Sequence, residues 1–329
     1  MYNLMIRKIL FCLLFLILFY FEIKTKIVDS FSVSTKIAIV TKKDFHLECV
    51  GFICELFKNY EVHLFHVPER NNENYIGYFK KIYPNLQNFS INLFTQEKEQ
   101  NYIKIIKLTS YDSFNIHSKD KSITLVHFNR KNDILNYKKN IIISPLVKID
   151  RPSIYILPIY RGQKSKNQKT KSIIFIGRKF NNEINEFALF IQKINYKLIF
   201  FSRKKTDQSN KKLLSLVNSN KIEFNYGKNV EFLVNKLKNS SFIYIDKKDD
   251  RFSGAISLAL SHNIPMIIDK FQQEKYKFPA ITYEKNINEI VPKLNSFSDH
   301  EYNHLLNNQA VFTENILNNY SEKLNLLLN

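Results

Sequence analysis

The stretch VEFLVNKLKNSSFIYIDKKDDRFSGAISLALSHNIPMIID, Val230 to Asp269, constrains the fold more than any other part of the chain. It opens with Val230, Leu233, Val234 and Leu237, the i, i+3, i+4, i+7 spacing of one helix face. A β-rich run, Phe242 to Ile245, follows, and then the polar turn KKDDRFSG. A second apolar helix pattern, Ala255 to Leu260, ends at Asn263 and leads into a buried-type strand, Pro265 to Ile268. Helix, strand, loop, helix, strand contains a βαβ unit. Its loop sits at the carboxyl end of its first strand, where open α/β sheets bind ligands. Ser253 and Gly254 open the second helix. A helix start offers free backbone N–H groups and a positive dipole end, which suits an anion such as phosphate.

This order of helix, strand, acidic loop, Ser-Gly, small-residue helix and Asn-Ile-Pro strand resembles the donor half of the GT-B glycosyltransferases. The resemblance is clearest over residues 172–270 and in the first half rests on topology. It implies an α/β fold of two Rossmann-like domains with parallel sheets, here preceded by an N-terminal hydrophobic helix. It further implies a nucleotide-sugar donor in the second domain and a glycan, protein or lipid acceptor in the first. Many such enzymes carry a Glu before the Gly and a second Glu eight residues later. Asp250 stands near the first position, and Leu258 stands eight residues beyond Asp250.

A length of 329 residues suits two domains, and 44% hydrophobic residues can fill their cores. The net charge of +19 is spread along a Lys-, Asn- and Ile-rich chain rather than striped, so a nucleic-acid partner is not expected. A basic surface still attracts an anionic donor. Three cysteines are too few for a disulfide framework; Cys49 and Cys54 share one predicted helix and read as buried thiols.

Residues 1–22 hold Arg7 and Lys8 before an apolar run, Ile9 to Phe21, read as a signal anchor or a cleaved signal peptide. Residues 23–35 read as a stalk. Both readings place the remainder in the secretory lumen or outside. The sequons at Asn88, Asn239 and Asn319 are compatible with that placement.

The acceptor domain is expected over residues 36–160. Its predicted strands are Ile37–Val40, Val62–Phe65, Tyr102–Leu108, Ile123–Phe128 and Ile141–Ile143, with helices over Leu47–Phe57 and Tyr75–Tyr83. The first strand-helix loop is not Gly-rich, which argues against a dinucleotide enzyme. Asp150 to Gly162 carries Pro152, Pro158 and Gly162 and runs into the polar QKSKNQKTK, so residues 161–171 read as the linker. The donor domain is expected over 172–286, and helices fill 287–329; the resemblance implies that the last helix crosses back to the first domain.

Glycosyl transfer needs a stabilised leaving diphosphate and a base for the acceptor hydroxyl. Arg178, Arg203 and Lys204 each follow a predicted strand of the second domain and are the diphosphate candidates. Gly177-Arg178 resembles the strand-Gly-Arg start of many GT-B donor domains. Ser253 and Gly254 add helix N–H groups, Asp250 a sugar or ribose contact, and Tyr226 with Gly227 a nucleobase contact. His46, beside Asp44 in the first strand-helix loop, and His127, closing the strand SITLVHF, are the candidate bases. No metal site is recognisable and no metal or other cofactor is expected, since GT-B enzymes generally stabilise the diphosphate without one. Two other readings remain: a GT-B-shaped binding or scaffold protein without catalysis, and a basic surface protein for nucleic acid or anionic lipid.

Overall fold

The runs IAIV of residues 37–40 and FIYI of residues 242–245 are rich in β-branched and aromatic residues, the composition of strands buried on both faces. A computed structural model shows how they assemble. It describes residues 35–41, 48–67, 73–108, 115–127, 139–145, 153–162, 170–177, 182–202, 221–226, 230–246 and 253–329. The N-terminal apolar stretch and the stalk lie outside these. Among the described residues no helix is long and apolar enough to cross a membrane.

Residues 36–329 form one unit with two sheets. The first holds β1 (Lys36–Thr41), β2 (Glu61–His66), β3 (Leu86–Ser90), β4 (Lys104–Lys107), β5 (Ser122–Val126), β6 (Lys139–Ile142) and β7 (Ser153–Tyr155). Their order is β3-β2-β1-β4-β5-β6-β7 and every pairing is parallel. The second holds β8 (Ser172–Ile176), β9 (Lys197–Ser202), β10 (Ile222–Tyr226), β11 (Phe242–Ile245), β12 (Met266–Asp269) and β13 (Ile281–Tyr283). Their order is β10-β9-β8-β11-β12-β13, again parallel throughout. Each sheet thus reverses its winding once, between β1 and β4 and between β8 and β11. Those reversals are where doubly wound sheets open a crevice at their carboxyl edge.

The helices are α1 (Glu48–Leu56), α2 (Glu73–Ile82), α3 (Asn182–Lys193), α4 (Val230–Lys238), α5 (Gly254–Ser261), α6 (Lys270–Tyr276), α7 (Ile290–Ser296), α8 (Asp299–Asn318) and α9 (Tyr320–Leu328). Four of them lie between the sheets. One apolar cluster runs from Ile37, Ile39 and Leu64 of the first sheet, through Phe52 and Phe79, to Leu237 and Ile256, and on to Ile174 and Ile243 of the second. The layers are therefore sheet, α1 with α2, α4 with α5, sheet. Separate clusters cover the outer faces: Ala38, Val40, Phe65 and Tyr102 on the first sheet, and Phe187, Tyr244 and Tyr302 on the second.

Three expectations change. Tyr102 and Ile103 are not strand: a 3-10 turn, Gln96–Asn101, runs up to them and β4 starts at Lys104. Two strands appear that periodicity missed, β3 and β7, one at each edge of the first sheet. Helix α6 follows β12 at once because Asp269 caps it, its Oδ1 accepting the N–H groups of Phe271 (2.9 Å) and Gln272 (3.4 Å).

The proline-bearing segment after β7 is no loose tether. Ile156, Leu157, Ile159 and Tyr160 are buried, and they form a strap between the halves. Ser257 donates its hydroxyl to the Pro158 carbonyl, and Ser261 Oγ accepts the Tyr160 N–H at 3.0 Å. From the end of the chain, α9 returns to the first sheet: Tyr320 stacks edge-on against Phe52 at 5.8 Å and bonds the strap at Leu157 and Ile159.

Candidate functional site

The strap fixes the relative direction of the two central helices. Along it, Pro158 meets Ser257, and Tyr160 and Gly162 meet Ser261, so α5 runs in the strap's sense. Ile159 is tied to Tyr320, which packs on Phe52, and Arg161 reaches Glu55 at 3.4 Å, so α1 runs the same way. Parallel helices put both starts at one end. The chain enters α1 from β1 and α5 from β11, the strands at the two winding reversals. The carboxyl edges of both sheets, with their strand-helix loops, therefore open towards one region.

At the edge of the second sheet, Gly177 follows β8 and donates its N–H to the Phe201 carbonyl at 3.1 Å. A Cβ there would meet the Phe175 ring at 2.5 Å, and that ring is packed against Phe200 and Tyr244. Glycine at this position thus comes from a close approach. Ser253 is the N-cap of α5 in extended conformation, yet its hydroxyl makes no capping hydrogen bond. The Ser253 side chain therefore does not occupy the N–H groups at the helix's positive end. Helix α5 is buried from Ala255 to Ser261, so its dipole is set in an apolar surrounding. Leu258 belongs to that buried face, which has no place for a second acid.

Tyr226 closes β10, the outermost strand on one side of the second sheet. His127 follows β5 and is buried; its Nε2–H donates to the Leu108 carbonyl at 2.7 Å, tying the ends of β5 and β4. Reading SITLVHF from sequence puts its imidazole facing a cleft; the geometry puts one ring nitrogen on the main chain. Asp44, His46, Arg178, Arg203, Lys204, Gly227 and Asp250 lie outside the described residues. Their strand ends Thr41, Ile176, Ser202, Tyr226 and Ile245 are described, and all stand on the carboxyl edges. Among the described residues no group of three or more His, Cys, Asp or Glu side chains is gathered as a metal site.

The opposite end of α5 carries a polar network that the sequence did not single out. His262 Nε2 lies 3.1 Å from the Tyr160 hydroxyl and 3.3 Å from that of Tyr78. Tyr83 donates to Glu55 at 2.7 Å and accepts the Arg161 N–H at 3.1 Å. Burial first, and then the Glu55 carboxylate, push the Tyr83 phenol upward, so it stays a donor. Arg161 also grips Glu314 of α8, with Nη1 3.1 and 3.0 Å from the carboxylate oxygens. These contacts join residues 28 to 184 positions apart, beyond any local pattern.

The chain superposes on solved structures over most of its length. HepE of Anabaena, solved in complex with UDP and glucose, matches with a TM-score of 0.57, covering 88% of this chain and 99% of that one at 10% identity. WaaG, a glycosyltransferase of lipopolysaccharide biosynthesis, matches with a TM-score of 0.55, covering 88% and 99% at 8% identity. The fold is that of the GT-B glycosyltransferases. A third GT-B structure, the DNA-modifying β-glucosyltransferase studied with uridine diphosphoglucose, matches with a TM-score of 0.51, covering 89% and 99% at 14% identity. No protein-family model matches the sequence, and no curated protein matches it. The GT-B likeness is carried by the arrangement of strands and helices.

Proposed function

We propose that this chain is a glycosyltransferase that moves a sugar from a nucleotide-sugar donor to a glycan, protein or lipid acceptor. The observation that carries the reading is the α5 start: a buried helix whose Ser253 hydroxyl is not spent on capping, opening at the winding reversal of the second sheet. The donor diphosphate would lie there. Helix N–H groups and the cations Arg178, Arg203 and Lys204 would take up the charge of the leaving group. Tyr226 and Gly227 would flank the base, and Asp250 would accept from a sugar or ribose hydroxyl. Across the cleft, the β1–α1 loop would supply His46, oriented by Asp44, as the base for the acceptor hydroxyl. His127 is the second candidate, with one nitrogen held by Leu108. No metal is required by this arrangement, since dipole and side chains supply the positive charge.

The apolar segment Ile9–Phe21 would tether the folded part on the lumenal or outer side of a membrane. Of the sequons at Asn239 and Asn319 the asparagines are exposed, while Ser240, Ser241 and Tyr320 beside them are buried.

The second reading is a GT-B-shaped binding or scaffold protein without catalysis, favoured by Leu258 in the place of an acid. A thermal-shift screen of the full chain against UDP, GDP, CMP and their common sugars separates the readings. At a hundredfold excess over Kd, the stabilisation is about 2.7 kcal/mol. Stabilisation by one nucleotide, lost in folded Arg178→Ala or Gly254→Val variants, supports the donor site. Release of free nucleotide on adding acceptors then tells transfer from binding. No stabilisation by any nucleotide overturns the transferase reading in favour of the non-catalytic scaffold.

A further inference from the structure

Helix α8 carries the sequence HEYNH over residues 300–304. His-Glu-x-x-His on a helix is a pattern that brings two imidazoles to one face for zinc. The start of α8 is fixed by its cap. The Ser298 hydroxyl accepts the Glu301 N–H at 3.2 Å, and the Glu301 carboxylate accepts the Ser298 N–H at 2.7 Å. Glu301 is thus engaged by the cap and is not placed as the general base of a metal hydrolase. The two histidines remain, and both are exposed. They stand one turn apart, on the side opposite Tyr302, Leu306, Gln309 and Thr313, which bury the helix against the rest of the fold.

Two features suit this pair to a metal ion. Side chains at i and i+4 start about 5–6 Å apart at Cβ, and two imidazoles can close from there on one ion at Zn–N bonds of about 2.0–2.1 Å. The second imidazole is also held in place: His304 Nε2 lies 2.9 Å from the side-chain amide of Asn308, one further turn along the same face. With its amide oxygen turned to that nitrogen, Asn308 accepts the Nε2–H and leaves the Nδ1 lone pair to a metal. Metal-binding histidines are oriented in this way through their other ring nitrogen. The positive end of the helix dipole opposes a cation, and Asp299 and Glu301 in the first turn offset it.

The ligand chemistry selects the ion. Neutral imidazole suits zinc, nickel and copper, whereas magnesium and calcium prefer oxygen ligands. We propose that His300 and His304 form a surface site for one divalent ion of the zinc, nickel and copper class, with Asn308 orienting His304. Among the described residues no group of three or more His, Cys, Asp or Glu side chains is gathered, so water completes the coordination shell. The site goes beyond the transferase reading and does not depend on it.

Isothermal titration calorimetry of the full chain at neutral pH, with zinc chloride and with nickel chloride, tests this. Saturable binding of both metals is expected. Asn308→Ala is expected to weaken it roughly tenfold, and His300→Ala or His304→Ala about a hundredfold, since each of these leaves a single ligand. His117→Ala, at an exposed histidine outside α8, is expected to leave the affinity unchanged. All four substitutions fall on exposed side chains, and unchanged melting of each variant shows that the fold is kept. Failure of zinc and nickel to bind overturns the proposal. So does binding that survives His300→Ala or His304→Ala, or that is insensitive to Asn308→Ala.

Discussion

The hydroxyl of Tyr320 lies 2.7 Å from the carbonyl oxygen of Leu157 and 2.9 Å from the amide nitrogen of Ile159. One phenol from the last helix thus serves a donor and an acceptor of the strap, in a fully buried position where burial pushes its pKa well upward. Tyr320→Phe keeps the packing on Phe52 but leaves the Ile159 N–H unpartnered. It is expected to cost about 1–3 kcal/mol in urea unfolding, with nucleotide stabilisation unchanged.

Exposed ion pairs add little to the hold between the halves. Lys81 of α2 and Glu231 of α4 form an ion pair across them, but both side chains are half or more exposed. Lys81→Met is expected to cost at most about 1 kcal/mol. Phe52→Ala, at a residue with no exposure, is expected to cost about 3–5 kcal/mol. Chemical denaturation of the two variants side by side gives the comparison.

Ser253→Ala separates a capping role from a binding role. A Ser N-cap that bonds its helix loses about 1 kcal/mol on replacement by Ala. Ser253 makes no such bond, so the melting temperature should stay within a degree or two while the nucleotide shift falls. A large loss of stability would assign the hydroxyl to the helix instead.

Gly162 is bound by space. A Cβ would stand 2.7 Å from the Ser261 carbonyl oxygen, a backbone atom that cannot swing aside, and 2.7 Å from the His262 ring. Gly162→Ala is expected to destabilise by about 1–3 kcal/mol, read from the urea midpoint. Gly77→Ala meets nothing within 4 Å. In helix α2 it should be neutral or stabilising by up to about 1 kcal/mol.

Glu223 gives the acid limb a signature. Partial burial works to raise its pKa, but Lys236, Lys197 (2.9 Å) and Asn225 (3.0 Å) prevail and hold it at about 2. A carboxylate with a depressed folded pKa adds stability above its unfolded value, and that stability disappears as pH falls towards the folded value. Wild type should therefore exceed Glu223→Gln in stability at pH 7, with the gap closing between the ordinary glutamate range and about pH 2. Denaturation curves across that window measure the gap.

How far the sequence spoke can be seen residue by residue. Ile37–Val40 and Phe242–Ile245 are short apolar runs bounded by turns, and they are strands because both faces are buried. β3 reads LQNFS and carries polar groups on a half-exposed edge, so no run announces it. β7 is only three residues long and is made a strand by its neighbour β6. Ser253 and Gly254 could be picked out because a strand, a polar turn and a helix follow one another within a few residues. The Arg161, Glu55 and Glu314 contacts could not, since they close over 106 and 153 positions. His127 showed its strand-end position but not its partner, the Leu108 carbonyl at the end of the neighbouring β4.

The returning helix α9 also bears on the order in which the molecule can be made. Tyr320 and Leu327 belong to the same apolar cluster as Ile37 and Phe52. During synthesis the first half leaves the ribosome with that part of its surface uncovered, and it stays so until the last helix emerges. The N-terminal half then cannot finish folding on its own schedule, although domains generally fold in order of synthesis. A nascent chain stalled before Tyr320 should expose the Phe52 surface to chaperones, and its release should bury that surface in one late step.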